Sequence, residues 1–352
     1  MSHKYISAMK YEVTIGMAVY NVGKYMRMSL DSALAQTFES IEFLILDDCG
    51  IDESMEIVRE YQLKHPRGKN IRILSQPHNM GIGMARNRIV DEAQGRFLYF
   101  MDSDDSITPN AIELLYSKAK QYNAQIVFGS YERVEEYHET VQRVPIQYPS
   151  LLFLEKDEFP NWAYCKYGNL NATSCNFLID VDIYRRNQLR YKDVSYWEDF
   201  TFTMDLPTYI TRAVLLPDIT YFYYCRKGSL SNYQKRTYIS KTEIMQTANA
   251  IEEIKDNSDR VRKAPYFPMR MLKLMKTDFY IVCTVFRHED IISPSFTNQE
   301  LHDMMRSPIT LQDILLFRQA RLSNLLFYSF WLLPTSVSVF FMRFLAKVRK
   351  LL

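Results

Sequence analysis

The sequence predicts an α/β protein, with a mostly parallel central sheet in the first part of the chain and a helical C-terminal region. Three observations carry this. Over roughly the first 130 residues, short continuous apolar runs alternate with stretches of helical spacing. Polar or acidic clusters stand directly after the apolar runs, and from about residue 240 the spacing is helical throughout. Continuous apolar strands alternating with helices are the pattern of strands covered on both faces by crossover helices.

Taken in order, Val13–Val19 is the first strand. Lys24–Ala35 follows as a helix, with Tyr25, Met28, Leu30 and Leu34 among its apolar positions. Ile41–Leu46 is the second strand and ends at Asp47-Asp48; Glu53–Lys64 is a helix and Ile71–Leu74 the third strand. Gly83–Ala93 reads as a helix and Phe97–Met101 as the fourth strand. Asn110–Gln121 is a helix behind Thr108-Pro109, a capping and first-turn pair, and Ile126–Phe128 is a fifth strand. Between 131 and 235 the periodicity weakens and aromatics crowd in; Tyr221–Tyr224 reads as a strand, and Tyr196-Trp197-Glu198-Asp199 precedes a helix. No repeat or low-complexity linker appears, and the expected division is 1–235 for the α/β part and 236–352 for the helical part.

Composition narrows the function. Hydrophobic residues are 47% and charged residues 24% of the 352, the balance of a folded protein. Against 41 acidic residues stand 43 basic ones, so binding driven by bulk positive charge is excluded and no nucleic-acid partner is expected. The five cysteines are odd in number and form no CxxC pair, and the histidines form no HxH or HxxxH, so neither a disulfide framework nor a zinc site of those spacings is suggested. No GxGxxG follows the first strand and no GxxxxGK[ST] occurs, which disfavours dinucleotide-dependent dehydrogenases and P-loop enzymes.

Ligands of open parallel sheets bind beyond the carboxyl ends of the strands. Those positions hold Tyr20-Asn21, Asp47-Asp48 and Asp102-Ser103-Asp104-Asp105. One Asp per loop is explained by capping of the next helix; three in four residues are more than a cap needs. Crowded carboxylates repel unless a cation joins them. Magnesium or manganese typically takes one or two carboxylates plus phosphate oxygens, so the cluster predicts a metal and a phosphorylated ligand.

Two long segments carry a resemblance. VTIGMAVYNVGKYMRMSLDSALAQTFESIEFLILDD (residues 13–48) closely resembles the opening of family 2 glycosyltransferases, which have the GT-A fold. NMGIGMARNRIVDEAQGRFLYFMDSDD (79–105) resembles their NxGxxxARN…G…FLDSDD stretch, and Glu198-Asp199 after a Trp resembles their ED motif. The resemblance covers roughly 11–235. It implies inverting transfer of a sugar from a nucleotide-diphosphate sugar, a UDP-sugar favoured, to an acceptor hydroxyl, with Mn2+ or Mg2+ as cofactor. It further implies that Asp48 accepts a hydrogen bond from the base, with Tyr20 and Asn21 beside base and ribose and Arg86 approaching the same side. Asp102 and Asp104 form the DxD, with Asp104 and Asp105 nearest the metal and diphosphate. Asp199, paired with Glu198, is the general base, and Arg226 in RKGSLS meets the diphosphate. Two departures stand out: Cys49-Gly50-Ile51 replaces the usual Gly-Ser after the Asp pair, and Met17-Ala18-Val19 lacks the usual Pro. Helix-terminal and surface roles are the plain alternatives for Asp199, Arg86 and Arg226.

The C-terminal third raises a membrane question. No charge occurs between Arg321 and Arg343, a gap of 21 positions, and Arg343, Lys347, Arg349 and Lys350 follow without an acid. Such a gap spans about 30 Å as a helix. Yet Ser323, Asn324, Ser329, Thr335, Ser336 and Ser338 interrupt it, with Pro334 in the middle, so a broken helix at a lipid interface is expected rather than a span. A helical pair buried in the protein is the alternative. Residues 260–276 add six basic side chains and no acid. Met1–Glu12 has no apolar core of signal-peptide length, and the expected place is the cytoplasm, at the inner face of the cell membrane. The expected role is surface-polysaccharide synthesis on a glycan or lipid-linked acceptor. A polyprenyl-phosphate sugar transferase and a catalytically silent nucleotide-sugar-binding scaffold are the alternatives.

Overall fold

A computed structural model describes residues 10–137, 140–166, 173–225 and 237–351. Its elements are β1 (Tyr11–Val19), α1 (Gly23–Leu34), β2 (Ile41–Asp47), α2 (Ser54–Lys64), β3 (Ile71–Ser75), α3 (Ile82–Glu92), β4 (Gly95–Phe100), β5 (Ser106–Ile107) and α4 (Ala111–Tyr122). Then come β6 (Ile126–Tyr137), β7 (Thr140–Ile146), β8 (Leu151–Phe153), α5 (Glu158–Asn161), β9 (Phe177–Asp180), α6 (Val181–Asn187), α7 (Glu198–Asp205) and β10 (Ala213–Cys225). The remainder is β11 (Ile239–Ser240), α8 (Lys241–Asp256), α9 (Phe267–Arg287), β12 (Ile292–Ser293), α10 (Asn298–Met304), α11 (Leu311–Leu316), α12 (Arg321–Leu332) and α13 (Thr335–Val348). The described residues form two compact units: 10–159, 173–193 and 209–225 within one, and 160–166, 194–208 and 237–351 within the other. The units cut across the division at 235, because the segment carrying α7 clusters with the C-terminal helices.

In the first unit the sheet order is β3-β2-β1-β4-β9-β6-β10-β5, with β7 on β6 and β8 on β10. Strands β3, β2, β1 and β4 are parallel, as the alternating pattern predicts. Beyond β4 the sheet turns antiparallel at β9, which pairs β4 on one side and β6 on the other. Val13, Ile15, Met17 and Val19 on one face of β1 are buried, and so are Ile41 to Leu46 along β2. Both faces of the sheet centre are therefore covered, the condition a parallel sheet needs. Val19 lies opposite Asp47, and Gly16 opposite Phe100. This register sets the carboxyl ends of β1, β2 and β4 side by side. One expectation shifts: α4 begins at Ala111 behind Asn110, and no side-chain cap comes from Thr108.

Helix α9 is the spine of the second unit. Its Met271, Leu274, Met275 and Val282 are fully buried, and α8, α12 and α13 pack on it through Ile251, Phe327 and Met342, among others. Two ion pairs lie inside. Lys255 meets Asp278 at 2.6 Å. Arg270 meets Asp205 at 2.7 Å and also donates to Tyr164 Oη, Ser258 Oγ and the Met204 carbonyl. Arg260 joins Asp205, and Arg262 joins Asp259 and Asp313. Half of the basic run at 260–276 is thus spent on internal pairs. Removing the Arg270 side chain leaves the Tyr164 and Ser258 oxygens and the Met204 carbonyl without that buried donor and takes the buried cation from Asp205, which keeps its pair with Arg260. Arg270→Met is therefore expected to destabilise the protein by about 3–5 kcal/mol, measured by urea unfolding.

Candidate functional site

The carboxyl edge of the parallel strands gathers most of the expected site. Asp48, directly after β2, is buried, and its two carboxylate oxygens accept the backbone N–H groups of Met80 (2.9 Å) and Gly81 (3.1 Å). Burial pushes its carboxyl above the ordinary range, while those two N–H groups pull it back. Asp48 thereby fixes the loop that opens α3, where Gly81 takes φ +82°, a conformation that suits glycine. Asn21, after β1, bridges to the same edge: its Oδ1 accepts Ile51 N–H at 2.8 Å. Tyr20 beside it is half exposed. Cys49 takes φ +62°, which explains the glycine expected there: the backbone is left-handed, and Cys accepts the strain while its Sγ donates to the Gln76 carbonyl.

The acidic turn follows β4. Arg86, buried on α3, reaches Asp102 Oδ1 at 3.2 Å, with its guanidinium over the Tyr191 ring. A solvated helix residue would not be buried in this way. Asp102 and Asp104 are both half-buried, and Asp105 N–H closes the turn onto the Asp102 carbonyl. Asp105 points inward and is only 1% exposed. Its Oδ2 accepts the Tyr221 hydroxyl at 2.7 Å and its Oδ1 the Tyr224 N–H at 2.9 Å. The same Tyr221 oxygen accepts Asp102 N–H at 3.2 Å, so β10 braces the turn from below. Burial, helped by the Asp102 charge, pushes the Asp105 carboxyl up to about 8, against the Tyr224 N–H and Tyr221 O–H. Asn176 ties β9, β6 and β10 beside this turn. Its amide donates to the Gly129 and Ser130 carbonyls and its Oδ1 accepts Thr220 Oγ1 at 2.6 Å. Gly129 is required here, since a Cβ would lie 1.9 Å from Thr220 Oγ1.

In the second unit Glu198 and Asp199 form the first turn of α7. Trp197 before them has φ +69°, a strained backbone for a bulky residue, and stacks on Tyr280 of α9 with ring centroids 5.9 Å apart. Phe200 N–H donates to Asp199 Oδ1 at 2.7 Å, and the Thr203 hydroxyl donates to the Asp199 carbonyl. Arg226 lies outside the described residues.

Residues 14–187 match the model of glycosyl transferase family 2. The chain belongs to glycosyltransferase family 2. This family 2 glycosyltransferase is 27% identical over 241 residues to a cholesterol galactosyltransferase of Borreliella burgdorferi, covering 67% of this chain and 66% of that one. The match thus leaves about a third of that relative's length unspanned. It is 26% identical over 234 residues to the succinoglycan biosynthesis protein ExoO of Rhizobium meliloti, 65% of each chain. S. aureus TarS 1-349 in complex with UDP-GlcNAc superposes with a TM-score of 0.60 at 16% identity, covering 91% of this chain and 90% of that one. That likeness shows the GT-A fold.

GT-A enzymes of family 2 generally use a divalent metal. Among the described residues no three His, Cys, Asp or Glu side chains gather into a cage for one. The donors fit a shared site instead: the half-buried carboxylates of Asp102 and Asp104 offer hard oxygens to a cation completed by phosphate oxygens. Asp105 differs from them, being turned inward and almost fully buried, with both oxygens accepting hydrogen bonds inside the protein. Those two bonds make Asp105 a brace beneath the turn in this family 2 glycosyltransferase. Its folded-state carboxyl titrates near 8, above the ordinary 3.8. The folded state therefore holds the proton more tightly, and this contribution to stability is full below pH about 4 and is lost as pH rises to about 8. Asp105→Asn is expected to flatten that slope and to keep metal-dependent nucleotide binding, as read by thermal unfolding across pH with and without manganese and UDP. Tyr221 and Tyr224 were legible only as part of an aromatic strand, and Tyr191 gave no local signal.

Proposed function

We propose that this family 2 glycosyltransferase moves a sugar, with inversion, from a nucleotide-diphosphate sugar to an acceptor hydroxyl in cell-surface polysaccharide synthesis, with Mn2+ or Mg2+ as cofactor. A UDP-sugar is the favoured donor. The observation that carries the reading is the acidic turn after β4, with buried Arg86 held against Asp102 and Asp104 beside them. Asp102 and Asp104 hold the cation, which when bound neutralises the departing nucleoside diphosphate. Tyr20, Asn21 and Asp48 line the base and ribose end, and Arg86 orients Asp102. Arg226 meets the diphosphate. Asp199 takes the proton of the acceptor hydroxyl as its oxygen bonds to the anomeric carbon and the bond to the diphosphate breaks, with Glu198 flanking it. No carboxylic acid is needed to protonate the leaving group, in contrast to glycoside hydrolysis.

The acceptor is a glycan or a lipid-linked molecule. The names of the two relatives, one acting on cholesterol and one in succinoglycan biosynthesis, support that class. The enzyme works in the cytoplasm, in peripheral contact with the inner face of the membrane. No helix among the described residues is long and apolar enough to cross a membrane. A thermal-shift panel of UDP-, GDP- and dTDP-sugars with manganese tests the donor assignment: stabilisation by one nucleotide class is expected, and no shift with any of them contradicts it.

A further inference from the structure

We propose that α11, α12 and α13 form a docking face for an anionic phospholipid bilayer; this deepens the membrane-facing part of the proposed function and rests on it. Among the described residues, nineteen large hydrophobic side chains are exposed, and twelve of them fall between 311 and 348. Scattered single exposures are ordinary; a concentration of this kind marks an interaction surface.

Helix geometry explains how the face arises. α13 packs on α9 and α10 through one stripe that contains Val339, Met342 and Ala346. A soluble surface helix places polar residues on the opposite stripe. Here that stripe holds Phe341, Phe344 and Val348, with Phe340 beside it; Phe340 is 65% and Phe344 57% exposed. α12 repeats the pattern, burying Phe327 and Phe330 against α9 while Leu322 and Leu326 are exposed. Both helices thus turn apolar faces away from the same spine. The break at Leu333-Pro334 separates them, so the pair lies along a surface as two short segments.

Charge decides which occupant fits. Six basic residues and no acid lie between 314 and 352. Arg343 is held by Glu289 and the Phe286 ring, and Arg321 by carbonyls at the end of α11. Arg318, Lys347, Arg349 and Lys350 are exposed and form no ion pair among the described residues. A second copy docking through this face would bring like charges together with no acid to offset them. An anionic bilayer accepts the aromatic and leucine side chains at its acyl boundary and the cations at its headgroups. Half of the basic run at 260–276 is withheld from any such surface, since Arg260, Arg262 and Arg270 are paired internally.

Flotation of the full chain with vesicles of phosphatidylcholine, with and without phosphatidylglycerol, tests the face. Binding to the anionic vesicles, partly released by high salt, is expected. The double variant Phe340→Ser, Phe344→Ser should lower the floated fraction about tenfold while leaving thermal unfolding and nucleotide-sugar hydrolysis in solution unchanged. Lys347→Glu with Lys350→Glu should remove only the salt-sensitive part. A chain that ignores both vesicles overturns the proposal, as does a Phe variant that floats as well as its parent. A dimer that the Phe variant dissolves, with no flotation, assigns the face to a second copy and also overturns it. Flotation without nucleotide-sugar hydrolysis sustains the face and counts against the proposed function, so the two ideas fail separately.

Discussion

Asp199→Asn is expected to lower turnover by about 10²–10⁴, the usual worth of a positioned general base, with donor affinity nearly unchanged. Two described hydrogen bonds survive the change. Asn keeps the oxygen that accepts Phe200 N–H, and the Thr203 hydroxyl bonds the backbone carbonyl, not the side chain. Loss of one negative charge in the first turn of α7 costs about 0.3–1 kcal/mol through the helix dipole, too little to unfold the protein. The strained Trp197 before it stacks on Tyr280. A large loss of turnover with the fold and donor affinity intact reports on proton transfer. Rapid-quench kinetics at saturating donor, together with donor titration, separate the roles: collapse of donor binding with normal turnover of bound donor would show that Asp199 serves the donor instead.

The second large effect is expected at Asp104→Asn, which should abolish transfer and weaken manganese-dependent nucleotide binding. A neutral amide can still accept a hydrogen bond, but it cannot balance the charge of a divalent cation. The neighbouring variant is the control. Asp105 is spent on Tyr221 and Tyr224, so Asp105→Asn should keep the metal response that Asp104→Asn loses. Isothermal titration of UDP with and without manganese reads both. Equal loss in the two variants would mean that the turn acts as one structural unit; full activity in Asp104→Asn would remove the metal reading.

The parallel half of the sheet was legible because β1 to β4 and their helices are local patterns: unbroken apolar runs, helical spacing, and acids at the strand ends. Pro334 announced the break between α12 and α13 by its missing N–H. What the sequence hid is long-range. The inward turn of Asp105 depends on Tyr221, 116 positions later, and nothing in DSDD says which acid faces the protein. The charges at 260–276 looked like a surface run because their partners, Asp205 and Asp313, lie far along the chain. The segment around α7 gave a helix signal but no sign that it packs with the C-terminal helices. Cys49 shows the converse: it stands where the family pattern has glycine, and the backbone at that position is left-handed, the conformation glycine adopts most readily.

On the proposed function, this chain cleaves a nucleotide-sugar bond through the acidic turn after β4. The most direct measurement is release of nucleoside diphosphate by the purified protein, with manganese, from a panel of UDP-, GDP- and dTDP-sugars in the absence of acceptor. Slow, metal-dependent release from one nucleotide class, lost in Asp104→Asn and retained in Asp105→Asn, is the predicted result. No release from any donor, or release that survives in Asp104→Asn, would contradict it.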